Sequence, residues 1–66
     1  MIGTNAQEIT VFLEHMQGQR EVYEELEVAS AAMGEVELAA AFEVVYKALD
    51  VVIALCKHDL QKATTN

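Results

Sequence analysis

Three side chains in this sequence are capable of metal ligation or nucleophilic chemistry: His15, His58 and Cys56. Metal sites on helices place a histidine three or four residues from an acidic ligand, as in Glu-x-x-His pairs. Neither histidine has an Asp or Glu at that spacing on its N-terminal side, and Glu14 and Asp59 are immediate neighbours that point elsewhere. The pattern predicts no metal site and no cofactor.

Cys56 does not have the surroundings of a catalytic thiol. Such a thiol needs an electropositive, partly exposed setting and a nearby base. Lys57 and His58 follow Cys56, but successive positions of a helix diverge by about 100°. Cys56 is therefore predicted to be a small buried apolar residue. Since no Ser/His/Asp set and no Gly-rich phosphate loop is evident either, the sequence predicts no catalytic residues and a protein that is not an enzyme.

Length and composition point to dependence on another chain. Sixty-six residues allow one domain, residues 1–66, and a chain this short usually needs a covalent staple or a partner to be stable. A single cysteine excludes an internal disulfide. The hydrophobic fraction of 53% and the mean hydropathy of +0.18 are high for a Glu-rich chain, which predicts apolar surface that another polypeptide covers.

Charge excludes two classes of partner. Eleven acidic and four basic residues give a net charge of −7, which repels nucleic-acid phosphates and anionic membrane surfaces. The apolar stretch at residues 39–56 is interrupted by Glu43, Lys47 and Asp50, so no membrane insertion is expected. No basic segment precedes an apolar one as in a signal peptide, and a free cysteine fits a reducing compartment. A cytoplasmic location is expected.

The local signals predict an all-α protein. The sequence has no proline, and its residues favour helix. Thr4 or Asn5 is a suitable N-cap, with Gln7 or Glu8 completing a capping box, and Gly34 fits the end of a first helix. The predicted helices, at residues 5–33 and 35–63, form an antiparallel two-helix hairpin.

The second helix carries two apolar stripes and one narrow polar strip, which contains Glu43, Lys47, Asp50 and Gln61. The first stripe, with Leu38 and Leu60 at its ends and Tyr46 and Ile53 on its flank, is predicted to face helix one. The predicted intramolecular core is Ile9, Phe12, Met16, Tyr23, Leu26, Phe42, Val45, Leu49, Val52 and Cys56. The second stripe is predicted to bind a partner and consists of Ala41, Val44, Ala48, Val51 and Leu55.

One helix can cover only one of these stripes. A helix that is apolar over most of its circumference is normally buried on all sides. We therefore expect another chain to complete the fold. The partner is either a different protein, giving a heteromer, or a second copy, giving a four-helix-bundle homodimer.

The segment KALDVVIAL at residues 47–55 resembles the second helix of the small co-chaperones of type III secretion needle subunits. In that family the matching stretch is a Lys-Ala-Leu-acidic run followed by Ile-Ala-aliphatic. The overall length, the turn at Gly34 and the aromatic Phe42 before Lys47 agree with it. The resemblance implies a hairpin that acts with a second, larger helical chaperone and keeps the needle subunit soluble and monomeric in the bacterial cytoplasm.

A second function stays open beside this one: a small acidic homodimeric regulator or inhibitor, of the phage or anti-repressor type, that blocks a partner protein. The acidic residues of helix one, Glu21, Glu24, Glu25 and Glu27, suit recognition of such a partner. They equally suit a solvated face that keeps an apolar protein in solution.

Overall fold

The computed structural model describes residues 6–64, which form two α-helices and the turn between them. Helix α1 is Ala6–Ala32 and helix α2 is Val36–Thr64, and they pack against each other as an antiparallel hairpin. The predicted all-α hairpin is confirmed. The proposed N-cap residues Thr4 and Asn5 lie outside the described residues.

The turn is a three-residue Schellman motif centred on Gly34. The Gly34 N–H donates to the carbonyl of Ala31 at 3.0 Å, and the Glu35 N–H donates to that of Ser30 at 2.9 Å. These bonds satisfy carbonyls that a helix end leaves without partners, and they require a left-handed residue at the glycine position. Gly34 has a φ of 81°. The Glu35 carbonyl also accepts the first hydrogen bond of α2, from the Ala39 N–H at 2.9 Å. Glu35 therefore ends the Schellman motif and is the N-cap of α2.

The two described glycines are expected to respond to alanine with opposite signs. Gly34→Ala forces a side chain into the left-handed region and lowers the free energy of unfolding by about 1–2 kcal/mol. Gly18→Ala, inside α1, raises it by about 1 kcal/mol. A Cβ at either position meets nothing within 4 Å, so crowding does not obscure the comparison. Urea denaturation at one protein concentration measures both, and a loss at Gly18 would contradict the helical assignment there.

The helices meet along a seam with alternating spacings of three and four residues. Every seam residue is buried or half-buried, and the spacing is the heptad repeat of a coiled coil, with the seam at positions a and d. In α1 the seam residues are Ala6, Ile9, Leu13, Met16, Arg20, Tyr23, Glu27 and Ser30. In α2 they are Ala39, Phe42, Tyr46, Leu49, Ile53, Cys56, Leu60 and Ala63.

Contacts of two aromatic rings define the register. The ring centroids of Tyr23 and Phe42 are 6.0 Å apart at 44°, and the guanidinium carbon of Arg20 lies 5.0 Å from the ring centroid of Tyr46. One heptad from the Arg20–Tyr46 pair, away from the turn, the same register brings Leu13 level with Ile53. The register thus places two of the three buried hydrophobic side chains of the described chain at one level of the seam.

The hairpin is a rod that buries little of its apolar content. Its radius of gyration is 15.1 Å, with extents of 49 × 17 × 14 Å, against roughly 11 Å for a compact domain of this length. Its accessible surface is 4728 Å², whereas a compact monomer of 7.3 kDa exposes roughly 4,200 Å². Among the described residues, the buried hydrophobic side chains are Leu13, Ala39 and Ile53. Most apolar side chains therefore remain at the surface.

Candidate functional site

Most of the residues assigned to the intramolecular core lie in or beside the seam. Val52 is half-buried next to the seam, and six further residues are half-buried within it. The seam members of that set are Ile9, Met16, Tyr23, Phe42, Leu49 and Cys56.

Three of the assigned core residues are exposed instead. Phe12 is 48% exposed, Leu26 39% and Val45 38%, so their assignment to the core of the single chain is wrong. The predicted stripes alternate spacings of three and four residues as well, but they lie at positions d and g, whereas the seam lies at positions a and d. Each of the three therefore falls at position g, on the flank of the seam.

The prediction also missed several seam residues. Tyr46 and Ile53 were placed on the flank, and Ile53 is among the most buried residues of the described chain. The alternation of three and four from Ala39 onward was the signal in the sequence for this part of the seam. Arg20 and Ser30 gave no such signal, because they are polar.

One side of the rod is held by charges around Arg20. The Arg20 Nε donates to Asp50 Oδ1 at 2.6 Å, and Nη1 donates to Glu24 Oε1 at 2.8 Å. Because Asp50 is on α2 and the guanidinium also lies over the Tyr46 ring, Arg20 joins the two helices at one level. A planar guanidinium suits this combination of a carboxylate and an aromatic ring better than a lysine would.

The ion pairs of this side persist at neutral pH. The hydrogen bond to Asp50 raises the pKa of Arg20, and the hydrogen bond to Glu43 raises the pKa of Lys47. The Lys47 Nζ lies 3.0 Å from Glu43 Oε2. A raised pKa in the folded chain means that the Lys47–Glu43 pair stabilises the fold at neutral pH, where both partners are charged, and that its contribution is lost as pH rises through the raised value.

The middle of the other side of the rod is apolar across both helices. It is formed by heptad positions g and c, which adjoin the seam on the side away from the Arg20–Asp50 pair. The surface spans both helices because position g of one antiparallel helix neighbours position g of the other. Along residues 12–29 of α1 and 38–55 of α2 the residues at these positions are apolar except His15 and Gln19, whereas nearer the open end of the hairpin they include Glu8, Asp59 and Lys62. The apolar members are exposed except the half-buried Val52. We call this surface the apolar face: Phe12, Val22, Leu26, Ala29, Leu38, Ala41, Val45, Ala48, Val52 and Leu55.

The predicted partner-binding stripe overlaps this face. Ala41, Ala48 and Leu55 belong to the apolar face, and Leu55 is 60% exposed. Val44 and Val51 are exposed as well, but they occupy position f on the outer surface of α2, away from α1. The structure thus brings three of the five together with apolar residues of α1 that the stripe did not include.

Five of the eleven acidic residues lie on the side opposite the apolar face. They occupy positions b and e and flank the seam around Arg20. We call this surface the acidic side: Glu14, Glu21, Glu24, Glu43 and Asp50. In the middle of the rod, these acidic residues and the apolar face therefore lie on opposite broad sides.

No match to a protein family, a curated protein or a solved structure is found for this chain. Among the described residues, no group of three or more His, Cys, Asp or Glu side chains is arranged to hold a metal ion. The two described helices are not long and apolar enough to cross a membrane. A depression bordered by Gln7, Val11 and His15 is formed by α1 alone, so nothing encloses a ligand there. The apolar face is the candidate functional site.

Cys56 is expected to react slowly with a thiol reagent. It is half-buried in the seam, where α1 restricts the approach of the reagent to the sulfur. A matched thiol is available in Cys56→Ala/Ala54→Cys, since Ala54 is exposed on the same helix. Reaction with Ellman's reagent should be several-fold slower for the natural chain than for this variant, and equal rates would show that the seam does not cover Cys56.

Proposed function

We propose that this chain is a non-enzymatic protein-binding module that shields apolar surface on another helical polypeptide. The observation that carries the proposal is the apolar face, an uncharged surface that spans both helices and stays exposed in the single chain. Contiguous exposed apolar surface on a small protein marks an interaction site. The hairpin supplies rigidity, so little conformational entropy is lost when the face is covered.

In its specific form, the proposal is that the chain is a co-chaperone of a type III secretion needle subunit. It would act with a second helical chaperone in the bacterial cytoplasm and keep the subunit soluble and monomeric until export. Support comes from the resemblance at residues 47–55, because this segment contributes Ala48, Val52 and Leu55 to the apolar face.

Co-expression tests this function. The chain is produced together with the helical chaperone and the needle subunit encoded in the same genome, and the three should co-purify with a monomeric subunit. Ala48→Asp, on the apolar face, should lose the complex. Ala54→Asp makes the same change at an exposed alanine on the other side of α2 and should keep it. A subunit that stays equally soluble and monomeric without this chain would exclude the co-chaperone function.

The acidic side supports a second candidate function, that of a dimeric regulator that blocks a basic partner. In that case the apolar face joins two copies, and Glu21 and Glu24 contact the partner. Glu21→Gln/Glu24→Gln would then weaken partner binding, whereas a co-chaperone that binds through its apolar face would tolerate the change.

A further inference from the structure

The two helices carry apolar residues for two different packings. Positions a and d form the observed seam, and a seam of positions d and g needs each helix to rotate by about 50°, half the angle between successive residues. Both positions also hold polar residues, Arg20 and Glu27 at a, and Gln19 and Asp59 at g. Apolar burial alone therefore does not select the observed packing. The large apolar residues at position a are Leu13, Tyr46, Ile53 and Leu60, and those at position g are Phe12, Leu26, Leu38, Val45 and Val52.

The contact between Arg20 and Asp50 distinguishes the two packings. Arg20 Nε donates to Asp50 Oδ1 at 2.6 Å, and Nη2 donates to Oδ2 at 3.5 Å, so one carboxylate receives both bonds across the helices. Asp50 is at position e, which adjoins position a in the observed packing. The rotation that brings position g into the seam turns position e toward the outside of α2, away from Arg20. The paired charges are therefore compatible with the observed packing alone.

We propose that the Arg20–Asp50 ion pair fixes the rotation of the two helices and thereby keeps the apolar face at the surface. A polar residue at position a selects one arrangement of a coiled coil in the same way, since a charge within a seam needs its partner. Without the pair, Phe12, Leu26 and Val45 turn into the seam and the face loses large side chains. The inference rests on the proposed function, because it names what keeps the binding surface exposed.

Thiol accessibility tests this inference in a chain that carries Cys56→Ala. Val45→Cys places a thiol at position g, where the side chain is 38% exposed, and Leu13→Cys places one at position a, where it is 8% exposed. Adding Asp50→Asn should slow the reaction of the first thiol with Ellman's reagent several-fold and accelerate that of the second several-fold. Glu43→Gln is the matched control, because it removes a charge at position e whose ion pair with Lys47 lies within α2. It should change neither rate.

Opposite changes at the two thiols support the proposal, because only a rotation protects one while it exposes the other. If both thiols react faster, the ion pair merely holds the helices together, and the proposal is overturned. Unchanged rates, or an Asp50→Asn chain that circular dichroism shows to be unfolded, overturn it as well. If Leu13→Cys itself does not fold, the rate at Val45→Cys decides alone.

Co-expression separates this inference from the proposed function. A rotated Asp50→Asn chain that forms the complex as the natural chain does supports the role of the ion pair and excludes the apolar face as the binding surface. Unchanged thiol rates together with a complex that Ala48→Asp abolishes overturn the role of the ion pair and leave the proposed function standing.

Discussion

Ile53→Asp is expected to unfold the hairpin. Ile53 is 7% exposed, level with the buried Leu13, and the change removes about 1.5–3 kcal/mol of side-chain burial. It also places a carboxylate among apolar side chains with no partner, which costs about 1–3 kcal/mol or more. A chain of this length is stable by roughly 3–10 kcal/mol in total. Most of the helical signal at 222 nm should therefore be lost.

Val51→Asp is the control for this change. Val51 is also a β-branched residue of α2, but it is 61% exposed at position f. The intrinsic helix propensity lost is similar in the two variants, so only burial separates them. Val51→Asp should keep the helical signal and a urea midpoint close to that of the natural chain. If Val51→Asp unfolded and Ile53→Asp did not, the seam would lie on the other side of α2.

Ala39→Leu should destabilise the hairpin by about 1–3 kcal/mol, the cost of overfilling a packed site. Ala39 is buried beside the turn, where the three-residue connection keeps the helices close and the space cannot widen freely. Ala40→Leu, one residue later and exposed, should change the free energy of unfolding by no more than about 0.5 kcal/mol. Urea denaturation of the two variants measures the difference. Equal stability would mean that the helices near the turn separate easily enough to admit a larger side chain.

The hairpin and its turn were predictable because their signals are local. The absence of proline and the position of Gly34 depend only on backbone chemistry near each residue. Helix ends were predicted to within one residue in the turn, where Met33 and Glu35 prove to be cap residues outside the helices. The predicted C-terminal helix end at residue 63 likewise differs by one residue from that of α2.

The seam was harder to predict, because α2 carries large apolar residues at position g as well as at position a of the heptad. Val45 was therefore placed inside and Ile53 on the flank. Arg20 was unpredictable for another reason. A charge in a seam is tolerable only with a partner, and its partner Asp50 is 30 residues away on the other helix.

The near-equal lengths of α1 and α2, 27 and 29 residues, give the rod two unlike ends. Ala6 and Ala63 both lie at the end opposite Gly34, so the described chain enters and leaves at the same place. A sequence joined to either terminus would extend from that end and leave the long sides of the rod accessible. Labels for fluorescence or affinity capture are therefore best attached there, whereas a probe at Met33, which is 73% exposed, reports on the opposite tip.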